Sequence, residues 1–162
     1  MDAGYLTHLP LLAVAATITT GPVLELGAGF GSTLMLHGLC GACGRRLVTL
    51  ESDQSWLGMF IPYRRPWHEI KHVEDFKNLP EYDMEWGLAL VDHGIAEQRG
   101  QSVEALQHVP LIVVHDTCHP MLYNYDSVLG GFKYRFDYKV VGPMTTLVSH
   151  VIDFETIKEL NL

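Results

Sequence analysis

Val23-Leu24-Glu25-Leu26-Gly27-Ala28-Gly29-Phe30-Gly31 is the stretch whose reading decides the fold. Val23 to Leu26 is a short apolar run of the kind that makes a buried strand, and it leads straight into glycines spaced two apart. Ser32 then opens an apolar segment of helical character, Thr33 to Leu39. Glycines let a chain turn sharply and let a ligand approach without meeting a Cβ. A helix start beyond them offers free N–H groups and partial positive charge to an anionic group. A second apolar run, Leu47 to Leu50, ends in Glu51, twenty-two residues after Gly29. An acid at that distance is placed to accept hydrogen bonds from ribose hydroxyls.

The spacing of the glycines separates ligand classes. The dinucleotide fingerprint is Gly-x-Gly-x-x-Gly, whereas this chain has Glu25-x-Gly27-x-Gly29-x-Gly31. That pattern resembles motif I of the class I S-adenosylmethionine-dependent methyltransferases. The resemblance implies S-adenosylmethionine as cofactor. It assigns Glu25, Gly27, Ala28, Gly29, Gly31, Ser32, Glu51 and Ser52 to its binding. Ser32 either donates to the methionine carboxylate or caps the helix. The alternative is a glycine turn that joins a strand to a helix and binds no nucleoside. A P-loop is excluded by the missing Gly-Lys-Ser/Thr, and a serine-hydrolase elbow by the missing Gly-x-Ser-x-Gly.

Composition sets the bounds. The 162 residues are expected to form one domain, 1–162, with 48% hydrophobic and 19% charged residues, as in compact water-soluble proteins. The net charge of −8 argues against a broad electrostatic grip on nucleic acid or an anionic membrane. Arg45-Arg46 and Arg64-Arg65 are the only paired arginines, one expected beside a strand and the other in a solvated loop. Leu9 to Ile18 is apolar with no basic region before it, which suits a first helix packed on a sheet better than a signal peptide. It is too short to span a bilayer. Three cysteines do not suggest a disulfide framework, and a cytoplasmic location is expected. Cys40-Gly-Ala-Cys43 has redox or zinc spacing, but there is no second such pair. Gly38 to Gly44 reads as a glycine-rich helix C-terminus.

Seven strands are expected: Val23–Leu26, Leu47–Glu51, Glu69–Val73, Gly87–Asp92, Leu111–Asp116, Tyr134–Val141 and Thr145–Ile152. Several are apolar throughout, as strands covered on both faces are. Gly142-Pro143 favours a tight antiparallel connection between the last two. The fold class is therefore α/β, a Rossmann-like, doubly wound sheet of five parallel strands plus a C-terminal antiparallel pair. Residues 74–86 carry Pro80 and little helical periodicity, so the helix of that crossover is expected to shrink to a turn. No insertion is large enough for a lid. The acceptor site is then open, completed by a second subunit in a homo-oligomer, or closed by the few residues after Asp92 and Asp116.

In such a sheet ligands bind beyond the carboxyl ends of the strands. By the resemblance, Asp75 and Phe76 after the third strand hold the adenine amino group and pack on its ring; a solvated acid and a core aromatic are the alternative. The fourth strand ends in Asp92-His93-Gly94 and the fifth in His115-Asp116-Thr117. Charged groups closing apolar strands are costly to bury unless paired or used. Leu111 to Thr117, with Val91-Asp92-His93, resembles small-molecule and sugar O-methyltransferases. In their metal-dependent relatives such acids hold magnesium, which makes Asp92, also a cofactor-side residue, and Asp116 candidate hard oxygen ligands. Alternatively His93 or His115 is the general base, with Asp116 beside it, or His115 and Asp116 only stabilise the turn and the cofactor pocket. Arg99 presents a fork suited to an anionic acceptor; the alternative is a surface arginine flanking the helix expected over Gln101–Gln107. His119, Tyr123 and Tyr125 are candidate acceptor contacts, with the tyrosines alternatively packing.

The reading is an enzyme that moves the sulfonium methyl to an oxygen, less readily a nitrogen, of a small molecule or sugar. Two rivals stay open: cleavage of S-adenosylmethionine on the same scaffold, and a non-catalytic cofactor-binding subunit.

Overall fold

The computed structural model describes residues 6–155. A seven-stranded sheet has the order β3-β2-β1-β4-β5-β7-β6. Its strands are β1 (Val23–Leu26), β2 (Leu47–Glu51), β3 (His68–His72), β4 (Leu88–Val91), β5 (Ile112–Val114), β6 (Tyr134–Tyr138) and β7 (Thr145–Ser149). The first five are parallel, and β7 runs antiparallel to both β5 and β6. The helices are α1 (Leu9–Ile18), α2 (Ser32–Cys43), α3 (Gln54–Leu57) and α4 (Arg99–Ala105).

The strands alternate their side chains between two covered faces, as a pleated backbone requires. Leu24, Leu26, Val48, Leu50, Ala89, Val91, Ile112 and Val114 join Val103 of α4, Phe76, Tyr82 and Trp86 in one core. Val23, Leu47, Leu88, Leu90 and Val113 join Leu11, Leu12 and Ala15 of α1 and Leu36 and Cys40 of α2 in the other. Along β1, β2, β4 and β5 both faces are buried, so these strands read as largely apolar runs, while the edge strands β3 and β6 are partly exposed and mixed in composition.

The expected strands all form, with shifted ends. β3 begins one residue early, at His68. β4 and β5 stop before their charged ends, because Asp92, His115 and Asp116 leave the ladder to enter the site. β6 ends at Tyr138, short of the exposed Val140 and Val141. Beyond β7 the Ser149 hydroxyl accepts from the N–H groups of Val151 and Ile152 and turns the chain away. The third crossover carries only a 3-10 turn, Pro80–Asp83. α4 starts at Arg99, two residues before the helix expected from the sequence.

α2 runs through the Cys-x-x-Cys stretch to Cys43. Gly44 closes it with φ +66°, its N–H donating to the Cys40 carbonyl, a left-handed position that suits glycine. Cys40 is core, its thiol pushed up to about 11 by burial, while Cys43 is exposed. The motif is a helix end. Among the described residues no helix is long and apolar enough to cross a membrane.

Candidate functional site

The β1 loop is shaped from beneath. Gly27 has φ +97°, and a Cβ there would stand 2.5 Å from the Asp92 carbonyl oxygen and 2.6 Å from His93 Cα. Only glycine lets the β1 and β4 ends approach this closely. Glu25, fully buried, lies under the loop rather than in it. The hydroxyls of Thr33 and Thr49 donate to its carboxylate, at 3.0 and 2.6 Å, and Ser32 also hydrogen-bonds to it. Thr33 Oγ1 in turn accepts from the Gly29 N–H at 2.9 Å. Burial raises the Glu25 carboxyl from its ordinary 4.5 to about 7, against the lowering effect of its hydroxyl donors. Beyond Thr49 the contacts continue to His68 Nε2 at 2.9 Å, and from His68 Nδ1 to His37 Nδ1 at 3.0 Å. Glu25 and Ser32, expected from the sequence to bind cofactor, are both buried beneath the loop and do not line the cleft. Gly31, not Ser32, is the N-cap of α2.

Over the loop opens a cleft of about 870 Å³, at the switch point between β1 and β4. Ala28, Gly29, Gly31 and Glu51 line it, with Phe30 and Trp56 on the rim. Glu51 Oε2 accepts from the Ala28 N–H at 2.9 Å, and Oε1 from the Ser52 and Asp53 N–H groups at 2.7 and 2.8 Å. These bonds fix the carboxylate at the strand end. Asp53 caps α3 by accepting from the N–H groups of Ser55 and Trp56. The Trp56 indole N–H donates to the Ala28 carbonyl at 2.7 Å, and its ring meets Phe30 edge-on at 5.4 Å.

The far wall is Asp92, Gly94, Arg99, His115, Asp116 and His8. The Arg99 guanidinium donates to Asp116 Oδ2 at 2.8 Å and pairs with Asp92 Oδ1 at 3.1 Å. Its Nε donates to the His93 carbonyl at 2.6 Å, and its plane lies over the Tyr123 ring, 4.5 Å from the centroid. Asp116 takes φ +59°, a left-handed position costly for most non-glycine residues and tolerated by Asp. His115 Nδ1 lies 3.0 Å from Asp92 Oδ1 and its Nε2 lies 2.9 Å from Thr7 Oγ1. Burial pushes the Asp92 carboxyl up, but the His115 hydrogen bond and the charges of His115 and Arg99 outweigh it and hold it below the ordinary range.

Magnesium between Asp92 and Asp116 does not fit these residues. The guanidinium of Arg99 bridges the two carboxylates where a hard cation would have to sit. That metal assignment is corrected.

Asp92, His115 and Asp116 converge at neighbouring strand ends and Arg99 joins them from the start of α4, but other expected residues do not. His93 is fully buried behind the wall, stacked on Phe76 at 3.8 Å and 9°, with Nε2 3.0 Å from Ser102 Oγ. Burial lowers its imidazole to about 3. It does not line the cleft, which removes it as a base. Phe76 is fully buried in the core, so its ring has no face left for adenine. Asp75 is half-buried, accepts from the Lys77 N–H at 2.9 Å and lies outside the cleft lining. His119 is exposed and outside it too. Tyr123 supports Arg99 and hydrogen-bonds Asp116; Tyr125 is core, its hydroxyl on the His115 carbonyl at 3.2 Å.

Sequence reasoning missed His8, Leu6, Phe30, Asp53, Trp56 and Pro143, all of which line the cleft. The one signal for His8 was a polar residue set directly before the apolar, proline-started α1.

No family model matches the sequence, and no curated protein matches it. Solved structures do. The S-adenosylmethionine-bound O-methyltransferase TomG of Streptomyces achromogenes, involved in tomaymycin synthesis, superposes with a TM-score of 0.66 and 18% identity, over 90% of this chain and 78% of that one. A precorrin-6y C5,15-methyltransferase of Geobacter metallireducens gives 0.57 at 13% identity, covering 86% of each chain. An rRNA methylase of Streptococcus thermophilus gives 0.59 at 12%, over 88% of this chain and 95% of that one. Strand order, the two antiparallel pairings at one edge and these superpositions agree: the chain has the class I S-adenosylmethionine-dependent methyltransferase fold.

Proposed function

We propose that this chain transfers the sulfonium methyl of S-adenosylmethionine to an oxygen of a small molecule. The observation that carries the reading is the cleft of about 870 Å³ at the β1/β4 switch point, floored by the glycine loop and bounded by the Glu51 carboxylate. Gly27, Ala28, Gly29 and Gly31 bring backbone close to the cofactor, and Glu51 accepts from its ribose. Phe30 and Trp56 offer the aromatic surface that Phe76 does not. Asp75 keeps its proposed role at the adenine amino group only if the ligand reaches past the lining of the cleft. At the other end, the corner of His8, Asp92, His115 and Asp116 faces the acceptor. The protein's work there is positioning for in-line attack and removal of one proton.

A small acceptor is favoured over nucleic acid by charge and by what the arginines do. Four acids line the cleft, Glu51, Asp53, Asp92 and Asp116, against one arginine, which repels a polyanion. Arg45 donates to the carbonyls of Gly21 and Ala16, Arg46 to Glu69, Arg64 to the carbonyl of Ile70 and Arg65 to that of Pro62. Both arginine pairs are thus engaged in the fold.

Calorimetry with S-adenosylmethionine, its demethylated product and NAD is the first test. The two sulfur ligands should bind and NAD should not; heat with NAD alone overturns the reading. Mass spectrometry of turnover mixtures with candidate hydroxyl acceptors then separates a methylated product from a cleaved cofactor.

A further inference from the structure

The corner beyond the cofactor end of the cleft contains a donor set that methyl-group positioning does not account for. His8 is 2% exposed, and both of its ring nitrogens are buried without a hydrogen-bond partner among the described residues. Its Nδ1 lies 3.8 Å from Asp92 Oδ2, and its ring stands edge-on to His115 with centroids 4.7 Å apart. One ligand atom from each of His8, Asp92 and His115 falls within a 4.8 Å cluster. Buried polar atoms without partners are rare and call for an explanation.

The hydrogen bonds around the cluster sharpen the point. The Thr7 hydroxyl donates to the Pro143 carbonyl at 2.9 Å, so toward His115 Nε2 it accepts, and Nε2 carries the proton. In the neutral ring Nδ1 then faces Asp92 Oδ1, 3.0 Å away, with a lone pair; in the imidazolium it carries a second proton. Two acceptors this close need a positive species between them. Thr7 on the far nitrogen of His115 and Arg99 on Asp92 are also the outer contacts that orient metal ligands elsewhere.

The geometry points to a divalent transition-metal site made by His8, Asp92 and His115, opening into the cleft. Two imidazoles and one carboxylate suit zinc, iron or nickel rather than magnesium, and they leave coordination positions open toward the cleft. Arg99 offsets one of the two carboxylates, Asp92 and Asp116, leaving one negative charge. A divalent ion and a deprotonated hydroxyl oxygen together bring the corner to neutrality. If the ion serves methyl transfer, which rests on the reading above, it lowers the pKa of the acceptor hydroxyl it binds. Metal binding itself does not rest on that reading.

The test is zinc titration of the chelator-stripped full chain, followed by calorimetry, with cobalt(II) as an absorbance probe of the ligands. One equivalent of zinc should bind. His8→Gln and His115→Gln should each abolish it. Thr7→Val, which leaves all three ligands in place, should weaken it by about 10–100-fold. His37→Gln, at the separate His37–His68 contact, should leave it unchanged. Each protein is also titrated with the demethylated cofactor, so that retained binding reports an intact fold. Should His8→Gln unfold, the wild-type cobalt spectrum and Thr7→Val still decide. Wild type that binds the demethylated cofactor but no metal sinks the site and makes a shared proton the occupant, leaving the methyltransferase reading standing. Zinc that persists in His8→Gln and disappears in His37→Gln also overturns it. Metal binding without cofactor binding retains the site and sinks the methyltransferase reading.

Discussion

At the residue scale the decisive groups are those whose ionisation the fold has changed. Glu25 titrates at about 7 rather than 4.5 because it is buried. Between those values the unfolded chain has released a proton that the native chain still holds, so Glu25 lowers stability as pH rises from 4.5 to 7. His8 and His68 have the opposite sign. Burial lowers each from 6.5 to about 4, so between 4 and 6.5 the unfolded chain holds more protons and stability climbs with pH. Glu25→Gln removes only the carboxyl contribution. Its unfolding free energy relative to wild type, from chemical denaturation at each pH, should rise between pH 4.5 and 7 by on the order of a few kcal/mol; a constant difference would mean that Glu25 is ionised throughout that range. Glu51→Ala should weaken the demethylated cofactor by about 1.5–3 kcal/mol through loss of a charge-assisted bond, read by calorimetry. An unchanged affinity would remove Glu51 from the site. Glu25 was legible as part of a motif but its role was not, because sequence spacing does not say on which side of a loop a side chain falls.

At the element scale the loop between β1 and α2 carries the most information. Gly29→Val should fold and fail to bind cofactor. The nearest atom to a Cβ there is the Ser32 hydroxyl at 3.1 Å, a side chain that can shift, while the branch intrudes on the cleft. Normal binding by the variant, again by calorimetry, would make the loop a turn and nothing more. The elements themselves were largely legible: α1, β1 and β2 have the bounds their apolar runs suggested, since runs bounded by glycine, proline or charge leave few alternatives. Phe76 was not. An aromatic residue after a strand looks the same in sequence whether it packs inward on His93 or outward on a ligand. Arg99 was legible as a candidate fork, but its carboxylate partners were not. A charged residue near a helix start reads as surface, and only the fold brings it between two strand-end carboxylates.

At the scale of the whole molecule, one guanidinium ties the carboxyl ends of β4 and β5 to the start of α4. Arg99→Leu leaves Asp92 and Asp116 without their shared cation in a buried setting. Breaking such a pair by removing one partner costs about 3–5 kcal/mol. Chemical denaturation should show that loss; a variant as stable as wild type would mean that Arg99 serves the ligand rather than the fold. His8 belongs to the same scale, since it meets Asp92 and His115 only through the closed sheet, and no local pattern encodes that meeting.

The contact of Gly27 with the β4 end also divides the cleft into parts with different freedom to change. A methyl group at Gly27 would collide with backbone, so that point of the floor admits no side chain. The rim is built from side chains alone: Leu6, Phe30, Trp56 and Pro143. Phe30 and Trp56 are each 37% exposed, so exchanging them disturbs little of the core. Because Phe30 and Trp56 serve the cofactor in the proposed function, a search for variants that accept a different hydroxyl compound can be confined to a small library at Leu6 and Pro143, with the floor left as it is.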